Sequence, residues 1–341
     1  MEHGPLFYLV SWLGALGLTL FTLSSITRIP FLQVSIFRQE QGRERAMPRY
    51  YRLGGVLLAI LFLFFIVGDG RLEWNPPLVA LCIGSFAIII FSVADDLTHI
   101  SWRWHLAFQT LLGVLVSSSG MRLELGEYVG YFDGNLFPLL GLLGVVAWVV
   151  LIMNAINWSD GTDGLMPGIA SLSFGTMFLL ALRLEVNQPA VAILSVTLLG
   201  LSLGLLFFNW HPARILSGTG GAYFLGFSLA VLGLYSGMKV ATLLVVLAVP
   251  VFDALFVFSR RIMTGRSPFL PDKEHLHHLL LARGWRPTGV ASVYLGVTGL
   301  MGLLALSLEG SEKVIVFFAT GMLFAVTSVL LHVSLRSQLK L

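Results

Sequence analysis

The chain has 341 residues, of which 56% are hydrophobic and only 11% charged, with a formal net charge of +3. A soluble globular protein carries about 25% charged residues, so this chain, with a mean hydropathy of +0.86, reads instead as a polytopic membrane protein. The small positive charge reads as membrane orientation, not nucleic-acid binding, and the single cysteine, Cys82, excludes an intramolecular disulfide.

Apolar runs between polar breaks predict an all-α protein of about eleven transmembrane helices. In chain order they are roughly 5–27, 53–68, 77–94, 105–120, 136–154, 167–183, 189–208, 222–237, 240–258, 289–307 and 314–334. With the N-terminus outside, 16 of the 21 Lys and Arg fall on the inner side and five outside (Arg71, Arg122, Arg183, Lys239 and Lys313). The positive-inside rule selects that orientation, with a cytoplasmic C-terminus. No basic residue precedes the first run, which argues against a cleaved signal peptide. No polar segment exceeds about thirty residues, so one transmembrane domain over 1–341 is expected. Its cytoplasmic loops lie near 28–52, 95–104, 155–166, 209–221 and 259–288.

The first of these loops carries Arg28, Arg38, Arg43, Arg45, Arg49 and Arg52. Such a loop fixes topology and touches anionic lipid. A sharper reading has Arg52 meeting a phosphate while Gly54 and Gly55 let helices approach closely. Asp95-Asp96 closes the third run. Adjacent carboxylates at a helix C-terminus face the negative end of the dipole and repel each other, so a bound cation or a shared proton would compensate.

After the fifth run comes Asn154-Ala-Ile-Asn157-Trp-Ser-Asp160-Gly-Thr-Asp163-Gly-Leu-Met-Pro-Gly168. Its amides and carboxylates recur every third residue, which keeps neighbours on one side of a helix. The glycines make the second half a loop passing close to something. Oxygen ligands on a glycine-rich turn at a membrane boundary suit a hard cation or a phosphorylated sugar. A polar turn between spans is the plainer alternative.

The next internal stretch, Asn209-Trp-His-Pro-Ala-Arg214-Ile-Leu216-Ser-Gly-Thr219-Gly-Gly221, places glycines before the eighth run, where free backbone N–H groups could meet an anion. Asp253 lies inside the ninth run, and an ionisable group there is a functional candidate. His275, His277 and His278 follow. They invite zinc, yet no cysteine or well-spaced fourth ligand accompanies them, and donation to phosphate oxygens suits the surroundings better. A merely polar loop is the alternative. All these polar groups gather on one face, which favours an enzyme acting on a lipid head group over a transporter with mid-membrane polar sites.

Together the motifs resemble the polyprenyl-phosphate N-acetylhexosamine-1-phosphate transferase superfamily, glycosyltransferase family 4. The resemblance rests on Gly54-Gly55, Asp95-Asp96, Asn154-x-x-Asn157-x-x-Asp160-Gly-x-Asp163-Gly, Pro212-Ala-Arg214-Ile and His275-x-His277-His278, and covers nearly the whole chain. It looks more like the bacterial undecaprenyl-phosphate GlcNAc branch than the muramoyl-pentapeptide branch. The resemblance implies transfer of N-acetylhexosamine 1-phosphate from a UDP-sugar to polyprenyl (undecaprenyl) phosphate, releasing UMP and initiating a cell-envelope glycan.

It also implies roles for individual residues. Asp95, Asp96 and Asp160 would be catalytic, with the aspartate pair beside the lipid phosphate. Asn157 and Thr219 would bind Mg2+ or Mn2+. Asp163, Arg52, Arg214, Leu216, His275, His277 and His278 would bind substrate. The expected partners are the UDP-sugar, the polyprenyl phosphate lipid, the membrane and a homodimer mate, in the bacterial inner membrane with the site on the cytoplasmic face.

Two positions depart from the family. Where relatives carry Phe-Met-Gly-Asp-x-Gly-Ser, this chain has Leu216-Ser-Gly-Thr219-Gly-Gly-Ala222, so a hydroxyl replaces a metal-binding carboxylate. The basic position after the aspartate pair is also shifted, with Arg103 and His105 nearby. These departures keep a catalytically impaired, lipid- or partner-binding homologue as the rival within the family, and a transporter as the rival outside it.

Overall fold

The structure is a computed structural model that describes residues 4–29, 35–40, 43–48, 52–123, 138–235, 240–265 and 274–338. Arg49, Lys239, Arg266, Lys273 and Lys340, counted in the cation asymmetry, lie outside the described residues, as does the Pro271-Asp272-Lys273 part of the histidine loop. The chain is a polytopic membrane protein, helical among the described residues apart from one short hairpin. α1 (Pro5–Ile26) is followed by a hairpin of β1 (Ser35–Glu40) and β2 (Arg43–Pro48). Next come α2 (Gly54–Gly68), α3 (Pro76–Thr98), α4 (Trp102–Ser118), α5 (Pro138–Trp158) and α6 (Leu165–Ala181). Then follow α7 (Pro189–Asn209), α8 (Gly218–Leu234), α9 (Val240–Val246) and α10 (Ala248–Met263). The short α11 (Leu276–Ala282) leads to α12 (Pro287–Ser307) and α13 (Gly310–Gln338).

Each predicted apolar run coincides with a helix, the ninth with the pair α9–α10, which bends by 78°. Among the described residues six helices are long and apolar enough to cross a membrane, and the bent pair would make a seventh. α2, α6 and α8 are shorter apolar helices of 15, 17 and 17 residues. At about 1.5 Å per residue they reach roughly 25 Å, short of a full hydrocarbon core of about 30 Å. Length and composition alone qualify six or seven of the helices as crossings; α4, α6 and α8, with 17 residues each, lie at the lower limit of about 17 residues for a spanning helix. The first internal loop also departs from expectation. Its backbone pairs antiparallel, with Ser35 opposite Pro48 and Glu40 opposite Arg43.

Helix starts follow local chemistry. Proline occupies the first turn of α1, α3, α7 and α12, where its missing N–H has no intrahelical partner anyway. Asn75 caps α3 by accepting from the Leu78 N–H at 3.0 Å. α8 is the centre of the molecule, because every residue from Gly220 to Leu234 is buried. A helix apolar all round must be enclosed on all sides, and α2, α3, α5 and α6 pack around it.

α8 begins four residues earlier than its apolar run, so Gly218, Gly220 and Gly221 lie in its first turn and do not form a loop before it. The reason is packing. A Cβ on Gly55 would strike the Gly221 backbone, and one on Gly220 would come within 2.8 Å of Ser92 Oγ. The Gly55 N–H donates to Ser217 O at 3.0 Å, which locks the start of α2 to the start of α8. These glycines let α2, α3 and α8 converge at one end.

Candidate active site

That convergence gathers the polar motifs. α3 runs through Asp95 and Asp96 and ends on His99, whose φ of 54° puts it in the left-handed region. Asp95 Oδ1 accepts from the Ile100 N–H at 3.0 Å and faces His105 Nε2 at 3.2 Å. Its other oxygen, Oδ2, accepts from the Thr219 hydroxyl at 3.0 Å. These donors offset the unfavourable dipole at the end of α3. Asp96 lies 3.6 Å from Arg52 Nε, so the two expected residues form a partly exposed ion pair.

α5 carries Asn154 and Asn157 as helix, and Ser159–Gly164 is a turn, as the glycines anticipated. Asn157 is half-buried on the last turn of α5. Asp160 Oδ1 accepts from the Ser217 hydroxyl at 3.1 Å, so Ser217 and Thr219 tie two acidic motifs to one helix start. Asp163 Oδ2 accepts from the Ala213 N–H at 3.1 Å and faces His211 Nδ1 at 2.6 Å. Gly164 has φ of +78°, and a Cβ there would come within 2.8 Å of the Trp210 ring, so glycine is required on both counts. Its N–H donates to Asn209 Oδ1 at 2.9 Å, and Asn209 Nδ2 donates to Ile215 O at 3.0 Å. Asn209 thereby clamps the 159–164 turn to the 210–217 turn.

Arg214 is exposed, its guanidinium 4.8 Å from the Phe208 ring and 5.4 Å from that of Phe207. Leu216 is half-buried beside it, and a Cβ on Gly54 would meet its carbonyl at 2.6 Å.

The histidines come in on α11. Buried Asp253 on α10 accepts the Leu276 N–H at 3.0 Å with Oδ1 and faces His275 Nδ1 at 3.0 Å with Oδ2. That carboxylate fixes the start of α11. His275 stacks 5.7 Å from His277, and its ring lies 5.5 Å from Trp158, over which Arg261 also sits. His277 is 1% exposed, packs directly on Gly161 and has no hydrogen-bond partner for either ring nitrogen among the described residues. Burial first, then the His278 and His275 imidazoles, hold it well below the usual histidine range, so it is a neutral imidazole. His278 is half-buried, its ring 4.1 Å from His277.

All the expected residues thus lie on the elements that meet at one end of the bundle. Ser217, Asn209, His211 and His105 join them as partners that reading the sequence had not assigned. Asp253 carried a sequence signal, its charge within an apolar run, but its partner could not be read there.

Among the described residues no group of three or more His, Cys, Asp or Glu converges as metal ligands. The polar groups at the start of α8 are oxygens: the Thr219 hydroxyl on the Asp95 carboxylate and the Ser217 hydroxyl on the Asp160 carboxylate. That set suits a hard cation such as Mg2+, which takes one or two carboxylates and leaves its other positions to water and substrate phosphates.

Residues 78–237 match the model of a family described as glycosyl transferase family 4. The chain is similar to a probable undecaprenyl-phosphate N-acetylglucosaminyl 1-phosphate transferase of Bacillus subtilis, with 29% identity over 78% of this chain and 75% of the relative. An undecaprenyl-phosphate alpha-N-acetylglucosaminyl 1-phosphate transferase of Yersinia pestis is 27% identical over 76% of this chain and 73% of its own. A phospho-N-acetylmuramoyl-pentapeptide-transferase of Bacillus subtilis is 26% identical over 86% of this chain and 96% of its own.

Proposed function

We propose, since residues 78–237 match the model of glycosyl transferase family 4, that the chain transfers N-acetylhexosamine 1-phosphate, with GlcNAc as the sugar, from a UDP-sugar to polyprenyl phosphate. A lipid phosphate oxygen attacks the sugar-linked phosphorus, the bond to the inner phosphate breaks, and UMP leaves. The observation that supports this best is the pair of hydrogen bonds from Thr219 to Asp95 and from Ser217 to Asp160, which draws both acidic motifs to the start of α8.

The chain's own residues have to hold two mutually repelling phosphate groups in line. Arg52, ion-paired with Asp96 at one edge, offers its guanidinium to the lipid phosphate. Half-buried His278, its ring 4.1 Å from that of His277, takes a phosphate oxygen, while buried His277 packs on Gly161 and supports the 159–164 turn. Asp163, with Oδ2 holding the 211–213 turn, keeps Oδ1 for the nucleotide, with Arg214 and Leu216 flanking it. Asp95 stays an acceptor, held by three donors, and Asp96 takes the lipid phosphate's proton. Thr219, Asn157, Asp95 and Asp160 would hold Mg2+ or Mn2+. A dication held there would supply positive charge against the repelling phosphates. We place this face in the cytoplasm of a bacterial inner membrane, on the cation asymmetry.

Purified protein given labelled UDP-GlcNAc, polyprenyl phosphate and Mg2+ should form an extractable lipid-linked sugar and UMP. Asp95→Asn and Asp160→Asn should each lower the rate by about a hundredfold or more. Intact UDP-sugar crossing sealed vesicles without UMP would establish a transporter instead. Thr219, standing where relatives carry aspartate, favours one second reading, a disabled site on an intact scaffold. Wild-type protein that is inert but gains transfer through Thr219→Asp would establish that reading.

A further inference from the structure

A line of polar side chains inside the bundle runs from α5 to Asp95. Asn154 Nδ2 donates to Gln109 Oε1 at 2.7 Å and to Val150 O at 2.8 Å. Gln109, 1% exposed, lies beside the Tyr223 phenol. That hydroxyl lies 2.8 Å from His105 Nδ1, and His105 Nε2 lies 3.2 Å from both Asp95 Oδ1 and Ile100 O. The line passes from α5 to α4 at Gln109, crosses to α8 at Tyr223, returns to α4 at His105 and ends on α3.

Its polarity is determined at both ends. A backbone carbonyl and a carboxylate can only accept, so Nε2 carries a proton, and in the neutral imidazole Nδ1 is then the acceptor. Tyr223 must then donate its one proton to Nδ1. At the far end the Gln109 oxygen is taken by Asn154, which turns the Gln109 amide nitrogen toward the phenol oxygen. Every donor therefore points toward Asp95. The imidazole is also held in place by packing. Phe91 meets it edge-on at 5.0 Å and is itself stacked on Phe108 at 4.1 Å.

We propose that Gln109, Tyr223 and His105 are positioning residues for the transfer, a one-way hydrogen-bond chain that fixes how Asp95 is presented to Thr219 and the substrate. This rests on the transferase reading above. The chain sets the histidine tautomer, and the tautomer sets the Asp95 carboxylate, as outer partners orient ligating groups elsewhere. A buried network could instead only knit helices together, and the two roles differ in what they change.

Tyr223→Phe keeps the ring and removes only the proton that fixes Nδ1. It should lower kcat about tenfold and leave KM for both substrates within about twofold. His105→Gln, whose amide nitrogen can reach the Nε2 position, should retain more turnover than His105→Leu. Nitrogen-15 NMR of the wild-type imidazole at about pH 8, above the ordinary histidine range, should show a protonated Nε2 and a hydrogen-bonded, bare Nδ1. Tyr223→Phe should shift the Nδ1 signal. Wild-type kcat in Tyr223→Phe and His105→Leu, or variants that only unfold more easily, would overturn the proposal. So would an Nδ1–H tautomer. If the wild type makes no lipid-linked product, the transferase reading fails by itself, and the tautomer then decides whether the chain still fixes Asp95.

Discussion

The Thr219 hydroxyl donates to Asp95 Oδ2, so this position is already engaged before any substrate arrives. Thr219→Asp would put two carboxylates at contact, a pair that repels by several kcal/mol at an effective dielectric near 20 unless a dication lies between them. The variant should therefore reach half-maximal activity at about ten- to a hundredfold lower Mg2+, and it should fold less stably when Mg2+ is removed. Thr219→Val leaves no oxygen and should abolish transfer. Activity against Mg2+ and thermal unfolding with chelator check both.

His277 gives a second expectation at the same scale. Its folded pKa lies well below the ordinary 6.5, so the unfolded chain binds the extra proton first as pH falls. Its contribution to stability is complete above about pH 6.5 and declines below it. Melting temperature should drop from about pH 7 to pH 5, and by less in His277→Gln.

Two backbones meet where α2 starts beside α8, and nothing larger than hydrogen fits between Gly55 and Gly221. Gly55→Ala has to force the helices apart, at a cost of about 1–3 kcal/mol or more. Because Ser217 and Thr219 lie in the same turn, it should also lower activity beyond its effect on melting. α11 depends likewise on one side chain. Asp253→Ala removes the acceptor of the Leu276 N–H and the partner of His275, costing about 1–2 kcal/mol by loss of the cap. Proteolysis near 266–286 should then quicken while the rest of the bundle stays protected.

At the scale of the whole molecule, orientation is the property to measure. Ser311 and Gly265 are both exposed, at opposite ends of the predicted topology. Ser311→Cys should react with an impermeant thiol reagent from outside intact cells, and Gly265→Cys only after permeabilisation. Native Cys82 lies within α3 and serves as the low background. External labelling of Gly265→Cys would reverse the orientation and place the site on the other face. Gly161 is unsuited to this experiment, because any side chain there would collide with His277.

Where a helix forms in this chain is a local property, since an apolar run of sufficient length fixes it in hydrocarbon, and the sequence determined those positions together with the motifs between them. Glycine spacing is local too and placed Asp160 and Asp163 in a turn, whereas the predicted run stopped at 154 and left Asn157 to the loop, where the helix in fact continues to Trp158. Which side chains meet was decided by tertiary structure. His105 reaches Tyr223 across 118 positions, Ser217 reaches Asp160 across 57 and His275 reaches Asp253 across 22. Such pairs depend on the axial register of neighbouring helices, and register is set by shape at contacts such as Gly55 on Gly221, where the absence of a side chain is the signal. Hydrophobic pattern is nearly uniform around a helix like α8, so no period in the sequence says which face meets which neighbour. Only close packing resolves that choice.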